Sequence, residues 1–96
     1  MKVKLTKSPK PEKKYRVTFH DGKHVDFGGK GYEDYTTHKN PGRMKRYLAR
    51  HGKMGEKWTV DGIRTAGFWS RWLLWSQPTL EKAKKLMTDR FRLVFV

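Results

Sequence analysis

Apolar and polar residues alternate in two neighbouring stretches of the chain, and this alternation is typical of β-strands with one buried face. The first stretch covers residues 15–19 and the second covers residues 23–27, with His20-Asp21-Gly22 between them. Gly28-Gly29-Lys30-Gly31 then interrupts the alternation and predicts a tight turn. The sequence therefore predicts a β-hairpin followed by a change of direction.

The length of the hairpin loop decides which side chains face each other. A two-residue Asp-Gly turn would place apolar residues opposite His24 and Asp26, which is the wrong register for burial. A three-residue loop with Gly22 in the left-handed conformation instead pairs Val17 with Val25 and Tyr15 with Phe27. We therefore expect the three-residue loop.

Two later segments carry the spacing of amphipathic helices. Asn40 is a suitable N-cap, Pro41 suits the first helical position and Gly52 suits the end, which predicts a helix over residues 41–51. Thr79 can cap a last helix. The apolar face of that helix is formed by Leu80, Ala83, Met87 and Phe91.

Residues 65–75 read Thr-Ala-Gly-Phe-Trp-Ser-Arg-Trp-Leu-Leu-Trp, and they predict a third helix, capped by Thr65 and ended before Pro78. In this helix Leu74 points away from the main apolar face and Trp75 borders it. The face itself consists of Phe68, Trp69, Trp72 and Leu73. We expect this face to cover the hairpin, because the chain has few other large apolar groups.

Residues 91–96 are dominated by aromatic and β-branched side chains, which predicts a closing strand beside the hairpin. The predicted fold is α+β, with a small three-stranded, mostly antiparallel sheet (hairpin plus C-terminal strand) packed on about three helices in the order ββαααβ. Residues 15–96 form a single compact domain in this prediction.

Residues 1–14 are predicted to be a flexible basic arm, because Ser8-Pro9-Lys10-Pro11 cannot form a helix and can hardly join a central strand. One observation leaves an alternative open. Met1, Val3 and Leu5 alternate with lysines, and such a pattern could pair with a free sheet edge.

The composition limits the classes of function. The 96 residues suit one domain, cysteine is absent, and no apolar stretch is long enough for a signal peptide or a membrane span, so we expect a protein that is not secreted. Lys and Arg number 23 against nine Asp and Glu, which gives a net charge of +14. Such a charge predicts attraction to polyanions, of which nucleic acid is the most abundant.

The positive charge is concentrated on the predicted helix 41–51. Arg43, Arg46 and Arg50 recur at three- and four-residue spacing, and no acidic residue occurs between His38 and Met54. Blocks of like charge tend to be interaction surfaces, although a solvated helix face is the alternative. The predicted nucleic-acid-binding residues are Lys39, Arg43, Lys45, Arg46, Arg50, Lys53 and Lys57, together with Lys10, Lys13 and Lys14 of the arm. Nothing marks them as readers of base edges, so we expect contacts with the DNA backbone.

Two tryptophans are candidates for contacts with a partner. Trp58 lies in a basic segment and Trp75 borders the face of the aromatic helix, so either could stack on bases or bury itself in another protein. Trp69 and Trp72 are expected in the core.

The sequence predicts no catalytic or metal site. Its four histidines and neighbouring carboxylates match no ligand spacing, and Gly28-Gly29-Lys30-Gly31 lacks the spacing of phosphate-binding loops, although it could form a backbone anion nest. We therefore expect a protein that is not an enzyme, with no cofactor, metal or small-molecule substrate.

Three segments together resemble a known family. They are residues 19–39, residues 46–51 and residues 65–75, and the motif Gly-Lys-Gly-Tyr-Glu-Asp-Tyr-Thr at residues 29–36 is the most specific. The chain is similar over residues 15–96 to small uncharacterised basic proteins of nucleocytoplasmic large DNA viruses that infect algae and amoebae. The resemblance implies a viral product in the virion or the viral factory, and it implies no activity.

The predicted function is therefore nucleic-acid binding largely without sequence specificity, by a protein packaged in the virion. The alternative is a minor capsid or internal virion protein that docks on other capsid proteins through its basic arm and exposed aromatic residues.

Overall fold

A computed structural model describes all 96 residues as an α+β fold with a four-stranded mixed sheet and four α-helices. The strands are β1 (Lys2–Lys7), β2 (Lys13–Phe19), β3 (His24–Gly29) and β4 (Val94–Phe95). The α-helices are α1 (Tyr35–His38), α2 (Pro41–Gly52), α3 (Ala66–Trp69) and α4 (Leu80–Phe91). A 3₁₀ turn (Val60–Gly62) and a π-helical segment (Ser70–Leu74) complete the chain. The sequence predicted one strand and one helix fewer.

The additional strand, β1, lies inside the sheet, whose order is β3-β2-β1-β4. It runs antiparallel to β2 and parallel to β4. The expectation of a flexible arm is therefore wrong for residues 2–7, and β4 lies beside β1 and not beside the hairpin. The reason is burial, because Val3 is only 1% exposed and pairs with both Phe19 and Phe95.

The predicted hairpin and its register are confirmed. Val17 pairs with Val25 and Tyr15 pairs with Phe27. Gly22 has φ +85°, which is the left-handed conformation that the three-residue loop requires. The backbone N–H of Phe19 closes the loop by donating to the carbonyl of Lys23 at 2.8 Å.

The caps of the two long helices are also where the sequence places them. The Asn40 side chain accepts hydrogen bonds from the backbone N–H groups of Gly42 and Arg43, with Pro41 in the first turn. The Thr79 hydroxyl accepts from the backbone N–H of Lys82 at 3.2 Å. Both caps satisfy N–H groups that a helix start would otherwise leave unpaired.

The aromatic segment forms one helical turn and then widens. Thr65 caps α3, and the π-helical segment follows directly. Because a π-helix has more residues per turn than an α-helix, the wider turn changes the direction of the last side chains. Leu74 is only 2% exposed, so the prediction that it points away from the core is wrong.

The core lies between the sheet and the aromatic segment together with α4. Trp69 contacts the rings of Phe19 and Phe27, with centroids 6.1 and 6.3 Å apart. Its indole N–H donates to the carbonyl of Ile63 at 2.6 Å, so the buried ring keeps no unpaired donor. The hairpin is therefore covered by the aromatic segment, as predicted. None of the helices has the length and apolar character needed to cross a membrane.

Candidate nucleic-acid interface

A strip of positive charge runs along the outer side of α2. Arg43, Arg46, Arg50 and Lys53 follow one another at spacings of three, four and three residues, which places them on one side of the helix or its C-cap. We call these four residues the α2 strip. The side chain of Arg43 is 41% exposed, and the other three residues are exposed.

A stack of aromatic rings fixes the position of α2. Tyr47, which is 6% exposed, lies with its ring parallel to that of Trp75 at a centroid distance of 4.2 Å. The imidazole of His51 stacks on Tyr47 at 4.1 Å and also hydrogen-bonds Glu56 at 2.8 Å. Burial raises the pKa of Tyr47, so its hydroxyl stays neutral at physiological pH. The buried stack turns the neighbouring α2 strip towards solvent.

Few of the cations of α2 form ion pairs with carboxylates of the same chain. Only Arg43 pairs with an acid, through a 3.2 Å contact with Glu33, whose side chain is 60% exposed. The remaining predicted binding residues on α2 and in the loop after it have no carboxylate within 4.0 Å; they are Lys45, Arg46, Arg50, Lys53 and Lys57. Five cations on α2 and in the segment after it are therefore available to an external anion.

A cleft of about 390 Å³ lies between α2 and the end of β3, and both Arg43 and Arg50 line it. Lys14 lines the same cleft, but its ammonium group is bound to the Asp34 carboxylate at 2.7 Å. Tyr32, which is 78% exposed, also lines this cleft. The cleft thus brings one lysine of the predicted arm close to the α2 strip.

The other predicted binding residues lie apart from the strip. Lys10 is 3.8 Å from Asp26, and Lys13 is half-buried in β2. The Lys39 ammonium donates to the carbonyls of Pro78 and Thr36 at 2.6 and 3.1 Å, in a residue with φ 55°. The side chains of Lys10 and Lys39 thus contact other segments of the chain as well as carrying charge.

The two candidate aromatic residues have different surroundings. Trp75 is half-buried, and Tyr47 covers one face of its ring. Trp58 is half-buried as well, and the guanidinium of Arg71 lies 5.4 Å from the centre of its ring. The backbone carbonyl of Trp58 accepts a hydrogen bond from the indole of Trp72 at 2.8 Å, which fixes the loop against the core.

Sequence reasoning missed Arg71, which is the most unusual cation of the molecule. Its Nε and Nη1 atoms are buried and have no hydrogen-bond partner. Its guanidinium lies 4.1 Å from the ring centre of Trp72, and that of Arg90 lies 4.7 Å from the same ring. Burial lowers the pKa of Arg71, and the nearby charge of Arg90 lowers it further. The signal in the sequence was an arginine inside an aromatic run.

The histidines and carboxylates remain scattered. His24 is 3.7 Å from Asp26, and no group of three His, Asp or Glu side chains is placed to hold a metal ion. Gly28 and Gly31 have φ +79° and +90°, as a tight turn at this position requires.

The first half of the chain matches a known protein family. The model of a family of unknown function, DUF5754, matches residues 3–51, slightly more than half of the chain. The chain belongs to the DUF5754 family. The matched part of this DUF5754 protein spans β1 to α2 and includes Arg43, Arg46 and Arg50, whereas Trp58 lies outside it. No curated protein and no solved structure matches the chain.

Proposed function

We propose that this protein binds nucleic acid through phosphate contacts of the α2 strip, without strong sequence preference and without catalysing a reaction. The observation that carries the proposal is the group of five cations on and after α2 that have no internal carboxylate partner. Arginine and lysine side chains that neutralise phosphates release condensed counterions, which supplies most of the affinity in non-specific binding.

The geometry of the strip suits a phosphate backbone. Arg43 and Arg50 lie seven residues apart on one helix, which corresponds to about 10 Å along its axis. Arg46 lies between them on the same side. Guanidinium groups form paired hydrogen bonds with phosphate oxygens, whereas base edges would require a defined groove position. We therefore expect backbone contacts and weak discrimination between sequences.

Charge reversal with a matched control tests the proposal. The variant Arg46→Glu/Arg50→Glu removes two cations of the strip, and Lys82→Glu/Lys85→Glu reverses two exposed lysines of α4. Both variants lower the net charge from +14 to +10, so they are matched in total charge. Binding to a labelled DNA duplex at low salt is followed by fluorescence anisotropy.

We expect the α2 variant to bind at least about tenfold more weakly than the wild type, because two phosphate contacts become repulsive. The α4 variant should lose clearly less affinity for the duplex. Equal losses in the two variants would mean that only net charge matters, and no binding by the wild type at low salt would refute the proposal.

A second candidate function is docking on an acidic protein of a virion. It is supported by large apolar side chains that are exposed beside the cations, since Met54 is 67% and Val60 is 58% exposed. Because the chain resembles proteins of large DNA viruses, the virion is the sample in which the two candidate functions can be distinguished. Crosslinking in intact virions would join the protein to the genome under the first function and to shell proteins under the second.

A further inference from the structure

A second cavity, of about 370 Å³, opens between the loop that carries Trp58 and the C-terminal end of α4. Its lining consists of Trp58, Thr59, Val60, Arg90, Phe91 and Arg92. The volume falls within the range of about 300 to 1,000 Å³ that small-ligand pockets occupy. Aromatic and guanidinium groups thus share one concave surface.

The charge of this cavity is unbalanced. Arg90 and Arg92 line it, and neither has a carboxylate within 4.0 Å. Arg71 lies behind Trp58 and also lacks an acidic partner. Two acids adjoin lining residues in the chain. The Asp61 carboxylate accepts a hydrogen bond from the Thr59 hydroxyl, and Asp89, next to Arg90, is exposed and forms no ion pair within 4.0 Å. Arg90 and Arg92 are both exposed, so their guanidinium groups are available to an anion from outside.

The aromatic side of the cavity, formed by Trp58 and Phe91, also has a polar group without a partner. The indole N–H of Trp58 is buried and has no acceptor. The ring of Phe91 meets those of Phe68 and Trp72 edge to face, with centroids 5.1 and 5.2 Å apart, so Phe91 is firmly positioned. A planar group entering the cavity would find a fixed aromatic surface beside two guanidinium groups. Planar bases joined to phosphates have this combination of properties.

The cavity lies next to the C-terminal end of α2. A Cβ atom placed on Gly52, at the end of α2, would lie 3.7 Å from the Trp58 ring. Lys53 and Lys57 lie on the chain between α2 and Trp58. Trp58 therefore lies beside the end of the helix that carries the strip, and the acid in the connecting segment, Glu56, is already paired with His51.

We infer that the cavity between Trp58 and Arg90 binds one unstacked nucleotide of a single-stranded nucleic acid, with the base against Trp58 and the phosphate on Arg90 and Arg92. This inference rests on the proposed function and makes it more specific. A duplex keeps its bases stacked, so it can use the α2 strip but not the cavity.

The test compares a labelled oligothymidylate with a duplex of the same length, each titrated by fluorescence anisotropy at one low salt concentration. The variants are Trp58→Leu, Trp58→Phe and Arg90→Gln, and Lys85→Gln on α4 is the control for the loss of one charge. Because the Trp58 carbonyl makes the contact with Trp72, substitution of the side chain keeps that hydrogen bond. Thermal unfolding checks that each variant is folded.

We expect Trp58→Leu to weaken binding of the single strand by roughly five- to a hundredfold and to leave duplex binding within about twofold of the wild type. Trp58→Phe should retain most of the affinity, and Arg90→Gln should lose more on the single strand than Lys85→Gln. Equal effects on both ligands, or no effect of Trp58→Leu on the single strand, would overturn the inference while the proposed function stands.

Two further outcomes are decisive. If neither nucleic acid binds the wild type, the proposed function fails and the inference fails with it. If a labelled polyglutamate peptide binds as tightly as the oligothymidylate and depends equally on Trp58, the cavity recognises acidic protein and the nucleotide assignment is wrong.

Discussion

Asp34 shows how one residue connects two distant parts of the chain. Its carboxylate, buried at 3% residue exposure, accepts from the backbone N–H of Thr36 at 2.9 Å and thereby caps α1. It also binds the ammonium group of Lys14 at 2.7 Å. One carboxylate therefore both caps α1 and joins it to β2, through an ion pair between residues twenty positions apart.

We predict that Asp34→Ala lowers the free energy of unfolding by about 3 kcal/mol, because α1 loses its cap and Lys14 keeps a poorly solvated charge. Urea unfolding measures the change. The control is Asp89→Ala, at an exposed residue of α4, which should stay within about 0.5 kcal/mol. Similar losses in the two variants would show that the contacts of Asp34 do not stabilise the folded state.

Asp26 predicts how stability depends on pH. Its carboxylate accepts from Arg16 at 2.9 and 3.2 Å and from Ser8 at 2.8 Å, and the hydrogen bond from Arg16 is the main reason that its pKa falls to about 2. In the unfolded chain this pKa lies near 3.9. The folded state is therefore favoured above about pH 4, and this contribution is lost as the pH falls towards 2.

Asp26→Asn should remove that part of the acid sensitivity. We expect the loss of stability between about pH 5 and pH 2.5, measured by urea unfolding, to be smaller in Asp26→Asn than in the wild type. The variant should already be less stable at pH 5, since the ion pair with Arg16 is gone. An identical pH dependence of the two proteins would contradict this role of Asp26.

At the scale of elements, β3 packs closely against the π-helical segment at Gly28. Gly28 has φ +79°, and a Cβ atom there would lie 2.9 Å from Cδ1 of Leu74 and 3.3 Å from Cβ of Lys14. Gly22, at the hairpin loop, has φ +85° but no neighbour within 4 Å. The two glycines thus share a conformation and differ in their surroundings.

Gly28→Ala should therefore cost more stability than Gly22→Ala. Both substitutions strain a left-handed residue, at a cost of about 1 kcal/mol, and only the first also displaces Leu74 from a packed site, which adds roughly 1 to 3 kcal/mol. Urea unfolding of the two variants gives the difference directly. Equal losses would indicate that Leu74 is not held as the structure shows.

Some elements could be predicted from the sequence because their signals are local. The hairpin register follows from the alternation around Gly22, and α2 follows from Asn40, Pro41 and Gly52. The inward position of Leu74 could not be predicted, since a widened turn is stabilised by packing against β3 and not by its own residues. Propensity alone cannot distinguish a π turn from an α turn.

The candidate site was predictable to a similar extent. The charge of the α2 strip is visible in the sequence, because no acid interrupts residues 35–55. Which cations are already paired is not visible, since Lys14 and Asp34 meet only after β2 and α1 are placed. Arg71 and Arg90 come together around Trp72 in the same way, through the packing of α4 on the aromatic segment.

For the whole molecule, the main difference from the sequence prediction is that the N-terminal residues form a strand, β1, inside the sheet. The sequence predicted an arm because of Pro9, Pro11 and the lysines around them. In the structure both prolines lie in the β1–β2 connection, and the lysines of β1 occupy exposed positions of the strand. Two pairings, with β2 and with β4, make β1 an inner strand. Tertiary structure determines that these residues form a strand, because only the folded sheet offers a free edge of β2 for pairing.

Substitutions on the two faces of β1 test its position in the sheet. Val3 is 1% exposed and Lys4 is exposed, so Val3→Asp should lower the free energy of unfolding by more than about 3 kcal/mol and Lys4→Asp by less than about 1 kcal/mol. Urea unfolding provides both values. Two small and equal effects would be the result expected for a flexible arm.

The net charge of +14 makes some attraction to any polyanion unavoidable, so the position of the contacts is what distinguishes binding by the α2 strip from general attraction. The strip concentrates unpaired cations on one helix, and the α4 lysines provide an internal comparison. Position and total charge can be separated because neutralising two residues at either place changes the net charge equally.

The most direct test is the salt dependence of duplex binding for the wild type, Arg46→Gln/Arg50→Gln and Lys82→Gln/Lys85→Gln. The slope of log Kobs against log salt becomes less steep by about 0.9 for each phosphate contact that is lost. We predict a change of nearly 2 for the α2 variant and a change close to zero for the α4 variant. Equal slopes for all three proteins would contradict the claim that the α2 strip contacts the phosphates.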